Sequence, residues 1–468
     1  MLRSHAFLVA LPLVIQTPAP LPPVQETPAA STPELCEIMD AIDALATPLV
    51  DDGITVGMVI GIVRGDELCV RGYGEVALGS GVLPDAQTIY EIGSISKVFT
   101  GLLLADAVTR EVVALDDPVQ GFYEDVFELT PFEDQPIELW HLSTHTSGLS
   151  RMPSNFRPED PDDPYADYTH ELMYAYLSKA KLRRAPGTKY AYSNLGAALL
   201  GNLIAREQEL DYESLLRTRI ADPLGLKHTS IALTPWMQEH LAPGYDVDQT
   251  PKANWSLPTF AGAGGIRSNV HDMLRFASAA LHPEGGPLAE AFPLSMEIRH
   301  REPQGATVAL GWHAASQEAT RLHNGQTGGY HSFLALWPEG DAAVVVLANT
   351  TSSLVDLCAD SALLLMMGHE PHTLEYRKAI DLDREAAAEL VGRYKLGIFS
   401  SLTVTLEDTG LFAQVTAQPA VRIYPSAPDK FFYRAVEAEI TFERDEAGAI
   451  TGLSLLQNGA VTKGKRVE

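Results

Sequence analysis

The chain predicts an α+β fold, an antiparallel sheet packed with a helical region, followed by a small β-barrel. Three observations carry that expectation. Strand-like apolar runs stand near both ends of residues 35–370. Helical and polar loop segments fill the interval between them, which suits a sheet assembled from both chain ends around a helical middle. After about Glu370 the composition changes, and short strands recur with turn residues between them.

Residues 35–45 place Ile38, Ile42 and Leu45 at helical spacing. Residues 56–63 are an apolar run closed by Arg64-Gly65-Asp66, and Leu68-Cys69-Val70 follows, a hairpin signal. A helix is expected from Ser94 to Val108, with Val98, Leu102 and Ala105 on one face. Residues 119–186 are rich in Pro, Asp and Glu and read as loop with short helices. Residues 194–204 form an apolar helix. Residues 308–312, 332–337 and 342–347 read as strands, the last two joined through Pro338-Glu339-Gly340-Asp341. Beyond them, residues 387–394 suggest one helical turn. Strands are expected at 402–406, 411–415, 431–433, 438–442 and 452–456.

The chain has 468 residues and a net charge of −27. That balance argues against nucleic acid and anionic membrane surfaces, both of which need basic patches. The 14 histidines show no metal-ligand spacing, so no metal site is expected. Three cysteines, Cys36, Cys69 and Cys358, are too few for a disulfide framework, though one pair could form in an oxidising compartment. Arg3, the apolar run 7–15 and Thr17-Pro18-Ala19 suggest a secretory signal peptide, too short to span a bilayer. A Pro/Thr/Ala-rich linker follows. The expected product is periplasmic or secreted, with no membrane span.

Ser94-Ile95-Ser96-Lys97 is the first chemical motif. A serine hydroxyl needs a base beside it and donors for the oxyanion it creates. Residues i and i+3 share a helix face, so the Lys97 amine would lie beside the Ser94 hydroxyl. A helix N-terminus adds positive potential. Alone, the tetrapeptide also fits a capped helix with an exposed lysine. Tyr192-Ser193-Asn194 opens the second apolar helix. A tyrosine there can shuttle a proton and an asparagine can orient a substrate amide; alone, the pair fits a turn and an N-cap. His323-Asn324-Gly325-Gln326-Thr327-Gly328-Gly329 precedes a strand and could be only a Gly-rich turn.

Taken in order, the three motifs resemble the serine β-lactamase and penicillin-binding protein superfamily, most closely its class C β-lactamase, DD-carboxypeptidase and family VIII esterase branch. Leu142-Ser143-Thr144-His145-Thr146-Ser147-Gly148-Leu149 and Ala261-Gly262-Ala263-Gly264-Gly265 add to the likeness, which covers roughly residues 35–370. Residues 380–468 resemble the lipocalin-like β-barrel fused to such hydrolases. The expected organisation is a signal peptide over 1–24, a linker over 25–34, a β-lactamase-like catalytic domain over 35–372 and a lipocalin-like barrel domain over 380–468. It implies a five-stranded sheet against helices, with the site between them. Ser94 would be the nucleophile, Lys97 its base, and Tyr192 the proton carrier to the leaving group. Asn194 would bind the substrate amide or hold Lys97. His323 would stand where lysine is common, and Gly325 would keep the strand open. The backbone N–H groups of Ser94 and Gln326 would form the oxyanion hole, each contributing about 3 kcal/mol. His145 is taken as structural. No cofactor is implied. The expected activity is exported serine hydrolysis of β-lactams, D-amino-acid peptides or small esters through an acyl-Ser94 intermediate. The alternative is a penicillin-binding sensor acylated without turnover.

Overall fold

In a computed structural model, residues 34–467 are described, apart from 304, 316, 317, 399, 458 and 459. The expected signal peptide and nearly all of the linker lie outside them. The chain divides into two compact units, one ending at Thr373 and one beginning at Leu374.

The first unit is organised by an antiparallel sheet. Strands β1 (Gly57–Arg64) and β2 (Glu67–Gly74) form a hairpin, with Gly65 in a left-handed turn conformation. The other strands come from the far end of the unit: β3 (His300–Arg301), β4 (Thr307–Val308), β5 (His313–Ala315), β6 (Thr320–Gln326), β7 (His331–Trp337) and β8 (Ala342–Ala348). Their order is β2-β1-β8-β7-β6-β5-β4-β3. Both chain ends meet where β1 pairs with β8, Ile60 opposite Val346. Five strands have seven or eight residues, and three shorter ones extend the β6 edge. The implied five-stranded sheet is therefore the long core of an eight-stranded one.

Alternation sorts the faces. Val59, Val63, Leu334, Leu336, Val345 and Leu347 join the main core. Helix α2 (Ser96–Thr109), helix α3 (Asn194–Glu207) and helix α4 (Val270–Leu281) pack into the same core. Helix α1 (Leu35–Asp51) and helix α5 (Asp356–Met366) pack together against the sheet's other face. Helix α2 is buried almost all round, which makes it the central helix rather than an amphipathic surface one.

Three expectations need correction. Helix α2 begins at Ser96, and Gly93–Ile95 is a preceding 3-10 turn. Residues 308–312 are not a strand: the chain bends between β4 and β5, with Gly311 at φ 75°. Strand β6 was not expected, because Thr320-Arg321-Leu322-His323-Asn324-Gly325-Gln326 is polar. It exists because β7 supplies a full ladder on one side and β5 on the other.

The second unit begins with helix α6 (Arg384–Glu389) and closes an eight-stranded antiparallel barrel. Its strands are β9 (Gly392–Lys395), β10 (Ser401–Glu407), β11 (Gly410–Val415), β12 (Val421–Ala427), β13 (Lys430–Phe432), β14 (Ala438–Arg444), β15 (Ile450–Gln457) and β16 (Ala460–Arg466). Each pairs with the next, and β9 closes on β16 through Tyr394 and Arg466. Alternate residues such as Leu402, Val404, Ile440, Phe442 and Leu453 fill the interior. Five of these strands were expected; β9, β12 and β16 were not.

Candidate active site

The 3-10 turn Gly93–Ile95 presents Ser94 where helix α2 meets β6. The close approach explains two glycines. A Cβ on Gly93 would lie 2.6 Å from the Gln326 nitrogen, and Gly93 has φ 50°. A Cβ on Gly325 would lie 2.1 Å from the Ile92 carbonyl oxygen. Gly325 therefore seats β6 tightly against the turn carrying Ser94. That is a different reason from holding the strand open to substrate.

Lys97 Nζ donates to Ser94 Oγ at 2.8 Å and to the Ala263 carbonyl at 2.5 Å. Lys97 is 2% exposed. Burial holds its pKa well below the ordinary lysine range, and the nearby Arg151 guanidinium lowers it further. A neutral amine beside a hydroxyl can accept its proton. Tyr192 OH donates to the same Ser94 Oγ at 2.7 Å. Burial pushes the Tyr192 phenol upward, so it stays protonated. An amine and a phenol thus converge on one oxygen.

His145 builds the frame around Tyr192. Its carbonyl accepts from Ala191 N at 2.8 Å, and its Nδ1 accepts from Ser193 N at 3.1 Å. It grips the residues on both sides of Tyr192 while its ring packs 4.4 Å from the Tyr192 ring. The Nδ1 contact fixes the proton on Nε2. Burial, first, keeps the imidazole neutral.

The sequence-derived residues do not all face the cleft. Ser94, Asn194 and Gln326 line it, with Tyr165, Trp255 and Phe260 as its aromatic wall. Asn194 Nδ2 donates to Met152 Sδ, while its Oδ1 is buried without a partner among the described residues. No Asn194–Lys97 hydrogen bond occurs among those residues, and Asn194 lines the cleft instead. His323 is only 1% exposed. Its Nδ1 donates to the Asn324 carbonyl at 2.5 Å, leaving Nε2 as a lone pair without a partner among the described residues. Its ring lies 4.9 Å from His313 and 6.2 Å from Tyr192. Burial, then His313 and Lys97, drives its pKa well below the usual imidazole range. His323 is a neutral hydrogen-bonding group here, not a cation.

Sequence reasoning missed several neighbours. The Ala263 carbonyl holds Lys97, and the small-residue segment 261–265 was its only trace. His313 pairs with Tyr190 OH at 2.9 Å, and burial lowers its pKa to about 4. The Arg151 guanidinium sits 5.0 Å from the Tyr192 ring centroid. No motif marked either one.

An amine and a phenol converging on a buried-edge serine, on this fold, define a serine hydrolase. The chain belongs to the beta-lactamase family, whose model matches residues 42–365. Residues 376–465 match a family described as a domain of unknown function (DUF3471). The chain is 28% identical over 353 residues to a beta-lactamase of Escherichia coli (strain K12), covering 67% of this chain and 89% of that protein. It is 30% identical over 237 residues to the D-alanyl-D-alanine-carboxypeptidase/endopeptidase AmpH of the same organism, covering 51% of this chain and 60% of that one. Penicillin-binding protein 4* of Bacillus subtilis (strain 168) is 25% identical over 422 residues, 84% of this chain and 91% of its own length. A class C beta-lactamase structure superposes with TM-score 0.64 at 22% identity, covering 71% of this chain and 98% of that one, which supports the fold. Among the described residues no helix is long and apolar enough to cross a membrane.

Proposed function

We propose that the protein hydrolyses β-lactams, D-amino-acid peptides or small esters through an acyl-Ser94 intermediate. The carrying observation is the shared Ser94 Oγ, 2.8 Å from Lys97 Nζ and 2.7 Å from Tyr192 OH. Lys97 takes the hydroxyl proton as Oγ attacks the substrate carbonyl carbon. The oxyanion forms against the backbone N–H groups of Ser94 and Gln326, about 3 kcal/mol of stabilisation for each donor. Tyr192 passes a proton to the leaving group as its bond to carbon breaks. Water then cleaves the acyl ester and frees Ser94. Asn194 Oδ1 receives a substrate N–H. The names of the relatives, a beta-lactamase and a D-alanyl-D-alanine-carboxypeptidase/endopeptidase, support the substrate range. With its Nδ1–H given to the Asn324 carbonyl and its Nε2 a lone pair, His323 offers a leaving-group carboxylate neither a charge nor a donor, which favours substrates without that carboxylate, such as simple esters, over efficient β-lactam turnover.

Export belongs to the same reading and rests on the charged start and apolar run 7–15. Fractionation of cells producing the full chain tests it: recovery in the cytoplasm alone would remove export.

Ser94→Ala is expected to abolish hydrolysis of p-nitrophenyl esters, D-alanyl peptides and nitrocefin while leaving the circular dichroism spectrum intact. Undiminished turnover in that variant would overturn the assignment. Stoichiometric labelling of the wild type by a fluorescent penicillin, with no turnover of any substrate, would favour a sensor instead.

A further inference from the structure

Arg151 stands out among the charged groups near the cleft. Its guanidinium lies over the Tyr192 ring, 5.0 Å from the centroid, and its side chain is exposed. Among the described residues no carboxylate pairs with it, although the chain carries 61 acidic residues against 34 basic ones. Other exposed arginines do find partners: Arg206 binds Asp125, and Arg301 binds Glu318. Arg151 is held in place by its backbone. Its carbonyl accepts from Asn194 N at 3.1 Å and from Leu195 N at 3.2 Å, tying it to the first turn of α3.

That anchoring fixes which wall of the cleft Arg151 belongs to. Tyr192, Asn194 and Arg151 come from the helical side of Ser94, whereas Gln326 and His323 come from β6 on the sheet side. The next residue, Met152, accepts from Asn194 Nδ2. A substrate whose N–H reaches Asn194 Oδ1 would therefore pass close to an unpaired guanidinium. Arg151 lies over the Tyr192 ring and acts electrostatically on the buried Lys97, so it brings a positive charge to this part of the site.

We propose that Arg151 is a specificity-determining residue that receives a carboxylate carried on the acyl portion of the substrate. The favoured class is an acyl donor with an anionic side group a few bonds from the scissile carbonyl. A planar guanidinium suits a carboxylate through paired hydrogen bonds that a lysine cannot reproduce. This inference rests on the reading of Ser94 as nucleophile and Asn194 as the acyl-side contact.

The test compares two esters that differ only in charge: the mono-p-nitrophenyl ester of adipic acid, with a free carboxylate, and p-nitrophenyl methyl adipate. The readout is the ratio of their kcat/KM values at fixed pH and low salt, for the wild type, Arg151→Lys and Arg151→Glu. The ratio cancels any general change in the catalytic groups. The wild type should prefer the charged ester by ~10-fold, Arg151→Lys should lose part of that preference, and Arg151→Glu should reverse it. The change should appear mainly in KM, and added salt should weaken it. Turnover of both esters with a ratio near one, unmoved by Arg151→Glu, would overturn this inference and leave the hydrolase reading standing. Failure of the wild type to cleave either ester while it turns over nitrocefin or a D-alanyl peptide would overturn this inference alone; failure on all of these substrates would remove both.

Discussion

Lys97 makes the chemistry pH-dependent in a calculable direction. In the proposed mechanism it acts as a base only when neutral, and burial holds its pKa well below the ordinary range. The acid limb of kcat/KM should therefore lie far below the ~10.4 of a free lysine. Tyr192 is shifted the other way, so no tyrosine limb should appear below its ordinary ~10. Arg151 is the second cause of the Lys97 shift. Arg151→Ala should then move the acid limb to higher pH. A pH–rate profile on a neutral ester checks this, and an unmoved or lowered limb would break the electrostatic link. His145 offers a second residue-level prediction. It touches Tyr192 from behind and pins Ala191 and Ser193, so it acts by positioning. His145→Ala should lower kcat by ~10-fold or more with KM little changed, and lower stability by ~1–3 kcal/mol through the lost bonds. If kcat holds while the melting temperature falls, His145 serves the fold alone. Of these groups, Ser94, Lys97 and Tyr192 were readable as motifs because their spacing follows helix geometry and chain order. Arg151 and His313 were not, since nothing local in sequence distinguishes an arginine stacked on the Tyr192 ring from one aimed at water.

The elements tell a similar story about what a sequence can reveal. Helix α3 and strands β1, β7 and β8 were readable because apolar residues repeat with a clear period or run. Strand β6, which carries His323 and Gly325, has neither signal, and only the ladder to β7 makes it a strand. Strand β12 contains Pro425 at a bulge, and β16 reads Ala460-Val461-Thr462-Lys463-Gly464-Lys465-Arg466, mostly exposed. Behind β6, Asp356 on α5 accepts from Asn324 Nδ2 at 3.1 Å and pairs with His331 Nε2 at 2.7 Å. One turn on, burial and then Asp356 raise the Asp360 carboxyl to about 7. Its unfolded value is ~3.9, so between about pH 4 and 7 the folded state holds the extra proton. Stability must therefore fall as pH rises through that window. Asp360→Asn should raise the melting temperature at pH 8, by the equivalent of ~2 kcal/mol, and change it little at pH 4. Equal effects at both pH values would reject the titration as cause. A second element-level prediction concerns α1 and β2. The Cys36 and Cys69 thiols are hydrogen-bonding neighbours, and burial followed by Cys36 raises the Cys69 pKa. Glutathione disulfide at pH 8.5 should oxidise them to a Cys36–Cys69 disulfide, releasing two reduced glutathiones. The bond would clip α1 to the edge strand and add ~3 kcal/mol. Non-reducing peptide mapping and a melting shift absent in Cys36→Ser would confirm it; persistent free thiols would exclude it.

At the scale of the whole molecule, the two units have separate cores. Among the described residues the first is built from Val59 through Leu347 and the second from Ala387 through Leu455, and neither of these clusters includes a residue of the other unit. The barrel also leaves no sheet edge open, because β9 pairs with both β10 and β16. Edge closure removes the usual reason an isolated β-domain aggregates. Its buried set, including Tyr394, Phe431, Ile440 and Phe442, is of the size that supports a small independent domain. Produced alone, residues 374–468 should therefore fold into a β-rich monomer with a cooperative melt worth about 5 kcal/mol or more. The full chain should show two thermal transitions rather than one. Ligands that acylate Ser94 should shift only the transition belonging to the first unit, since stabilisation follows the state that binds. Calorimetry of the full chain, with and without a fluorescent penicillin, separates the outcomes. A single cooperative transition that moves as a whole would mean that the barrel is energetically part of the hydrolase unit, despite its separate core.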